Sequence, residues 1–156
     1  MNLLQLLEEL LPQICDWAQS QESHILQNGV ALSPDEMATA LQISVRHPER
    51  LRLLRVSQVP MPQDAVLRTA AEQAGLVSPH TAGMALRYGI FIRDDVWDHR
   101  SHIVAHELVH TAQYERLGGF ARFLKQYLSE CLTVGYAHSP LEQEAIRTAN
   151  RLQDQR

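Results

Sequence analysis

The sequence predicts one α+β domain, mostly helical, with a small β-sheet beside one central helix. Most of the chain carries apolar side chains at the 3.6-residue spacing of helices. Two short runs, 51–59 and 84–93, are rich in branched apolar residues and bounded by proline, glycine or aspartate, as strands are. The 156 residues contain no repeat, low-complexity segment or linker, so one core accommodates them. Within it an N-terminal helical part covers about 1–47, and a core part about 50–156.

Taken in order, Leu3, Leu7, Leu10, Leu11, Ile14, Ala18 and Ile25 mark a helix over 3–27, with Pro12 a point of kinking or division. Asn28-Gly29 closes it. Ser33-Pro34-Asp35-Glu36 reads as N-cap, first-turn proline and acidic first turn of a helix running to about Ile43. His47-Pro48 breaks the chain before the strand at 51–59, which Pro60-Met61-Pro62 ends. A helix follows over Gln63–Ala74 with Gly75 as its stop. Ser78-Pro79 is a break, and Met84–Arg93 reads as one strand ended by Asp94-Asp95. Asp98 is the expected N-cap of the next helix, with Ser101 the alternative start; Gly118-Gly119 ends it. Phe120, Phe123, Leu124, Tyr127, Leu128 and Cys131 give a helix over 120–132. Gly135–Pro140 is a turn, and a last helix covers Leu141 to about Leu152.

Composition narrows the function classes. With 45% hydrophobic and 21% charged residues the chain is of ordinary globular make-up. A net charge of −4 gives no basic surface for nucleic acid. No apolar run approaches the roughly eighteen residues of a membrane span. Glu8-Glu9 interrupt the apolar N-terminus, and it lacks a basic start, so it does not read as a secretory signal. Cys15 and Cys131 form no ligand-like pair: Cys15 reads as a buried free thiol, Cys131 as a remote metal candidate. A reduced, cytoplasmic setting is expected. The oligomeric state is left open.

The chemistry concentrates in His106-Glu107-Leu108-Val109-His110. Four-residue spacing puts both histidines on one helix face, where two imidazoles can converge on one Zn²⁺. Glu107 projects to the side of that face, placed to take a proton from metal-activated water. A shuffled chain with 8 histidines would show this motif about three times in a hundred, so a third ligand must be found. His102 lies one turn before His106, too far along the axis to share the ion, and reads as cleft wall. Gln113 and Arg116 exclude the extended three-histidine signature. The last helix offers carboxylates in its first turns, Glu142 and Glu144, with small Ala145 allowing close approach to the motif helix.

His106-Glu107-x-x-His110, followed on a later helix by Glu142-x-x-Ala145, resembles the gluzincin metallopeptidases, the compact minigluzincins among them. The likeness covers roughly 83–150. It implies a zincin-like fold and a zinc site in which Glu142 is the third ligand; Glu144 is the alternative. The family's aspartate that orients the first histidine is replaced here by Ile146, leaving Glu144 and Asn150 as substitutes. Gln113 and Tyr114 match a version of the motif seen in several members. Gly89-Ile90-Phe91-Ile92-Arg93 resembles the family's edge strand, which pairs with an extended peptide substrate.

The expected function is therefore zinc-dependent hydrolysis of peptide bonds in a peptide or protein substrate. Glu107 is the general base, acting on water whose pKa the ion lowers toward about 7. Tyr136 and His138, in the turn before the ligand helix, are the candidate oxyanion donors, with Arg147 and Tyr114 as rivals. The alternative is a catalytically silent, zinc-containing peptide-binding or regulatory module.

Overall fold

The computed structural model describes residues 2–75 and 81–155; the break read at Ser78-Pro79 lies outside them. Helix α1 (Leu3–Asn28) opens on a capping box between Asn2 and Gln5. Pro12 neither ends nor divides it. The proline removes one backbone hydrogen bond on an exposed turn, while Leu7, Ala18 and Ile25 anchor the opposite face in the core. Strand β1 (Val30–Ala31) and helix α2 (Pro34–Ile43) follow, the latter capped by Ser33 and Glu36 as its sequence predicts. Next come β2 (Arg52–Val56) and α3 (Ala65–Gln73), the second capped by Asp64.

The run expected as one strand over 84–93 is a hairpin, β3 (Gly83–Leu86) and β4 (Gly89–Arg93). Arg87 and Tyr88 form its turn without the Asn-Gly or Gly-x chemistry that would announce one. Tertiary contacts hold it instead. Arg87 takes a left-handed φ of 60°. Its guanidinium donates two hydrogen bonds to the buried Glu22 carboxylate at 2.7 and 2.8 Å, and the Tyr88 N–H donates a third at 3.0 Å. The Thr111 hydroxyl donates to the Arg87 carbonyl at 2.6 Å. Across the sheet, Gly89 lies beneath α1, where a Cβ would stand 2.9 Å from that of Ile25.

The sheet order is β1-β2-β4-β3, with β2 and β4 parallel and the other pairs antiparallel. Strand β4 is thus central, correcting its expected place at the edge: after β2 the chain passes through α3 and returns as the β3–β4 hairpin, in which β4 pairs with β2 and β3 becomes an edge. Residues alternate between two cores. Leu54, Phe91 and Leu86 face α1 and the fifth helix, α5 (Phe120–Val134). Leu53, Ile90 and Ile92 face α2 and the fourth, α4 (Ser101–Leu117). The last helix, α6 (Pro140–Asp154), lies along α4, with Ala145 and Ala149 buried between them. The N-terminal helices belong to this same core, since α1 packs on α5 and on three strands. Among the described residues, no helix is long and apolar enough to cross a membrane.

Asp98 does not cap α4. Residues 94–99 form a 3-10 helix and α4 starts at Ser101, with Arg100 at the cap position and no side-chain cap bond. Arg100 is held from outside: its Nε donates to Glu36 at 2.7 Å, and the guanidinium lies 4.2 Å over the Trp97 ring. Burial alone would raise the Glu36 pKa, but the Arg100 hydrogen bonds and the cap at Ser33 outweigh it and hold the carboxyl below its ordinary value. The stabilisation this gives is present above the ordinary carboxyl pKa and fades as pH falls through the lowered one. Glu36→Gln is therefore expected to cost about 1–2 kcal/mol at neutral pH. That deficit should shrink below about pH 4 as the wild-type carboxyl is protonated. Urea midpoints of both proteins across the acid range check it.

Candidate metal centre

The site is assembled by α4, α5, α6 and the edge strand β3. On α4, His106 and His110 project from successive turns, their rings 5.0 Å apart and edge-on. Ser139 caps α6 and Pro140 fixes its first turn, so Glu142 enters the site at the helix start, 1% exposed. Its Oε1 lies 2.5 Å from His106 Nε2, and its Oε2 lies 3.2 Å from His110 Nε2. Two hydroxyls donate to the same carboxylate: Tyr127 of α5 to Oε2 at 2.7 Å, and Tyr136 to Oε1 at 3.1 Å. Each phenol is held well above its ordinary pKa, first by burial and then by the charge of Glu142. Both therefore stay donors.

One network decides which nitrogen His110 presents. Gln113 Nε2 donates to the Leu141 carbonyl at 2.9 Å and to Glu144 Oε1 at 2.7 Å. These are acceptors only, so the other end of the amide, Oε1, faces His110 Nδ1 at 2.8 Å and must accept its proton. The Nε2 atom that points at Glu142 is then left without a proton in the neutral ring. An imidazole lone pair aimed at a carboxylate needs positive charge between them, from a proton or a metal cation. Without a metal, burial would lower the His110 pKa, but Glu142 and Glu107 override it and push it up to about 9. The histidines hold Glu142 in turn far below its ordinary value, against its own burial.

His106, Glu107 and His110 offer ligand atoms within 4.8 Å of one another, a group that can hold a metal ion. Glu142 meets that group through its contacts with both imidazoles. Donors around a four-coordinate ion at 2.0–2.1 Å stand about 3.3 Å apart. The His110–Glu142 separation fits this, and the His106–Glu142 contact would have to open by less than 1 Å. Glu107 itself is 7% exposed and accepts a hydrogen bond from the Ala85 N–H of β3. Burial, added to by Glu142, raises its pKa against the pull of both histidines. Its Cγ would lie 3.3 Å from a Cβ on Gly83, so the glycine lets the edge strand come this close.

The other sequence candidates separate cleanly. Tyr136 reaches the cluster, but His138 is exposed and lies outside the cavity lining found among the described residues. The intervening 3-10 turn directs it to solvent. Arg147 is exposed as well. The Tyr114 hydroxyl is spent on the Ala85 carbonyl at 3.3 Å, under a ring stacked on Phe123. Glu144 faces Gln113 and Arg116 rather than either imidazole, and Asn150 is exposed, so neither stands in for the missing aspartate at His106. Cys131 is buried, and burial followed by Glu142 pushes its thiol up to about 12. His102 lies on the cavity wall, its Nδ1 buried without a partner among the described residues.

Sequence reasoning placed Tyr127 in the apolar face of its helix and overlooked its hydroxyl. The available signal was general: a phenol on a buried face needs an acceptor. Gln113 was noted for its motif position and not for the proton it fixes. Gln113→Leu removes that acceptor and is expected to weaken metal binding about 10–100-fold, as measured by competition with a chromogenic chelator. Comparison with protein-family models, curated proteins and solved structures yields no match for the chain.

Proposed function

We propose that the chain is a zinc-dependent hydrolase of peptide bonds, with His106, His110 and Glu142 holding the ion and Glu107 acting as general base. One observation carries the reading: two imidazole Nε2 atoms converge on one buried carboxylate, at 2.5 and 3.2 Å, an arrangement that needs positive charge between them and that a shared metal cation would supply. Two imidazoles and one carboxylate favour zinc and are the three-ligand set of hydrolytic zinc sites. When bound, zinc supplies a Lewis acid and lowers the pKa of water toward about 7.

The remaining tasks fall to side chains. Glu107 is buried beside the histidines with its pKa raised, which suits a group that takes a proton near neutral pH and returns it to the leaving amine. Tyr136 is 40% exposed at the mouth of the cavity, with its hydroxyl on Glu142, and is the donor we assign to the developing oxyanion. Tyr127 holds Glu142 from the opposite side and orients it. Two free cysteines suit a reduced, cytoplasmic compartment.

The test is metal content together with turnover. Protein purified without chelator is expected to carry stoichiometric zinc by elemental analysis and to cleave a quenched fluorescent peptide library. Chelation should abolish cleavage and added zinc restore it. Cleavage indifferent to chelation, or no zinc uptake at all, would overturn the reading.

A further inference from the structure

We infer that the site takes substrates with a long unbranched acyl chain, the chain lying in the apolar cleft between α1, α3 and α5 and the scissile amide at the histidines and Glu142. The chemistry rests on the hydrolase reading above; the binding does not. The centre is one end of a cavity of about 800 Å³. Leu7, Leu10, Ile14 and Trp17 of α1 form one wall, and Leu128 and Leu132 of α5 another. Helix α3 roofs it through Val66 and Ala70. Among the described lining residues no charged side chain occurs beyond Glu107, Glu142 and the histidines, and the polar Thr69 and Gln73 of α3 are exposed. The volume lies in the range of sites for whole small ligands, well beyond one amino-acid side chain.

Backbone accounting separates an acyl chain from a peptide as the occupant. In β3 the even residues pair with β4, and Ala82 accepts from Arg93 N–H in the same sense. The outward groups are those of Gly83, Ala85 and Arg87, and three of these six are taken by α4. The Ala85 N–H goes to Glu107, the Ala85 carbonyl to Tyr114, and the Arg87 carbonyl to Thr111. A peptide drawn deep between α1, α3 and α5 would bring an N–H and a carbonyl per residue to the leucine, isoleucine and alanine walls there, which offer them no partner. An alkyl chain brings none. Leu3 and Val66, which line the cavity, are 48% and 53% exposed, an apolar rim suited to passing such a chain inward.

The reaction is R–CO–NH–R′ + H₂O → R–COO⁻ + R′–NH₃⁺: the amide C–N bond breaks, the water oxygen bonds to the acyl carbon, and protons pass through Glu107 to the amine. The product is a fatty carboxylate.

Trp17 provides the reporter. The chain has 2 tryptophans, and Trp97→Phe leaves only the one on the cavity wall. In a Trp97→Phe, Glu107→Gln protein kept metal-free by chelator to prevent turnover, neutral N-methylalkanamides from hexanoyl to tetradecanoyl should shift Trp17 emission. Binding should tighten about fourfold per methylene until the cavity is full. Ala70→Phe narrows the cavity from the roof and should weaken the longest homologues at least tenfold, moving the plateau to shorter chains. In zinc-loaded parent protein, kcat/KM for lauroyl-dipeptide should exceed that for acetyl-dipeptide at least a hundredfold. Chain-length-dependent binding without hydrolysis of any acyl peptide would uphold the cavity assignment and remove the hydrolase reading. Zinc-dependent peptide cleavage indifferent to acyl length, with no Trp17 response, would overturn this inference and leave that reading standing.

Discussion

Glu107→Gln is expected to retain zinc and to hydrolyse peptide roughly a hundredfold to ten-thousandfold more slowly than the parent, the range general-base catalysis supplies. The amide keeps the size of the carboxyl and can still accept the Ala85 N–H, so β3 should stay where it is. It cannot take a proton from water. The two histidines and Glu142 contact one another directly and not through Glu107, so zinc affinity should change little. Removing a buried charge whose pKa is raised by burial and by Glu142 should leave thermal stability unchanged or higher. Single-turnover cleavage, zinc stoichiometry and melting temperature of the same preparation separate these effects. Cleavage at the parental rate would remove Glu107 from the mechanism.

Much of this molecule was legible from local patterns, and the failures share a cause. The cap at Ser33, the apolar period of α1 and α5, and the Gly118 stop of α4 each act within a few residues, so sequence carries them. The two-histidine face is likewise a property of helical spacing alone. The hairpin turn at Arg87-Tyr88 was not readable, because what stabilises it is Glu22 on α1 and Thr111 on α4. The start of α4 was misplaced for the same reason: Arg100 answers to Glu36 of another helix rather than to a local cap. Strand β4 was assigned to the edge from a resemblance of five residues, whereas strand order depends on where the chain returns after β2 and α3. Within the site, His138 and Tyr136 look alike in sequence. Only the 3-10 turn at 136–138 distinguishes the one exposed to solvent from the one whose hydroxyl reaches Glu142.

Removal of Glu142 should be the more damaging change. The residue is 1% exposed and satisfies four groups at once: two imidazoles and the hydroxyls of Tyr127 and Tyr136. In metal-free protein, Glu142→Ala strands these partners in the interior, and breaking a buried ionic contact in this way costs about 3–5 kcal/mol. Loss of a direct ligand should reduce zinc affinity by more than the 10–100-fold that loss of an orienting partner produces. Glu142→Gln separates the two effects. Its amide oxygen can still accept from one tyrosine and its NH₂ can donate to an unprotonated imidazole Nε2 or to the other phenol oxygen, so much of the stability should return, while the missing charge keeps zinc weak. Urea unfolding of the metal-free proteins and chelator competition on the zinc forms measure each quantity independently. Parental zinc affinity in both variants would move the third ligand elsewhere. Glu144 is the nearest alternative carboxylate, and to serve it would have to leave Gln113 and Arg116, freeing the amide that fixes His110.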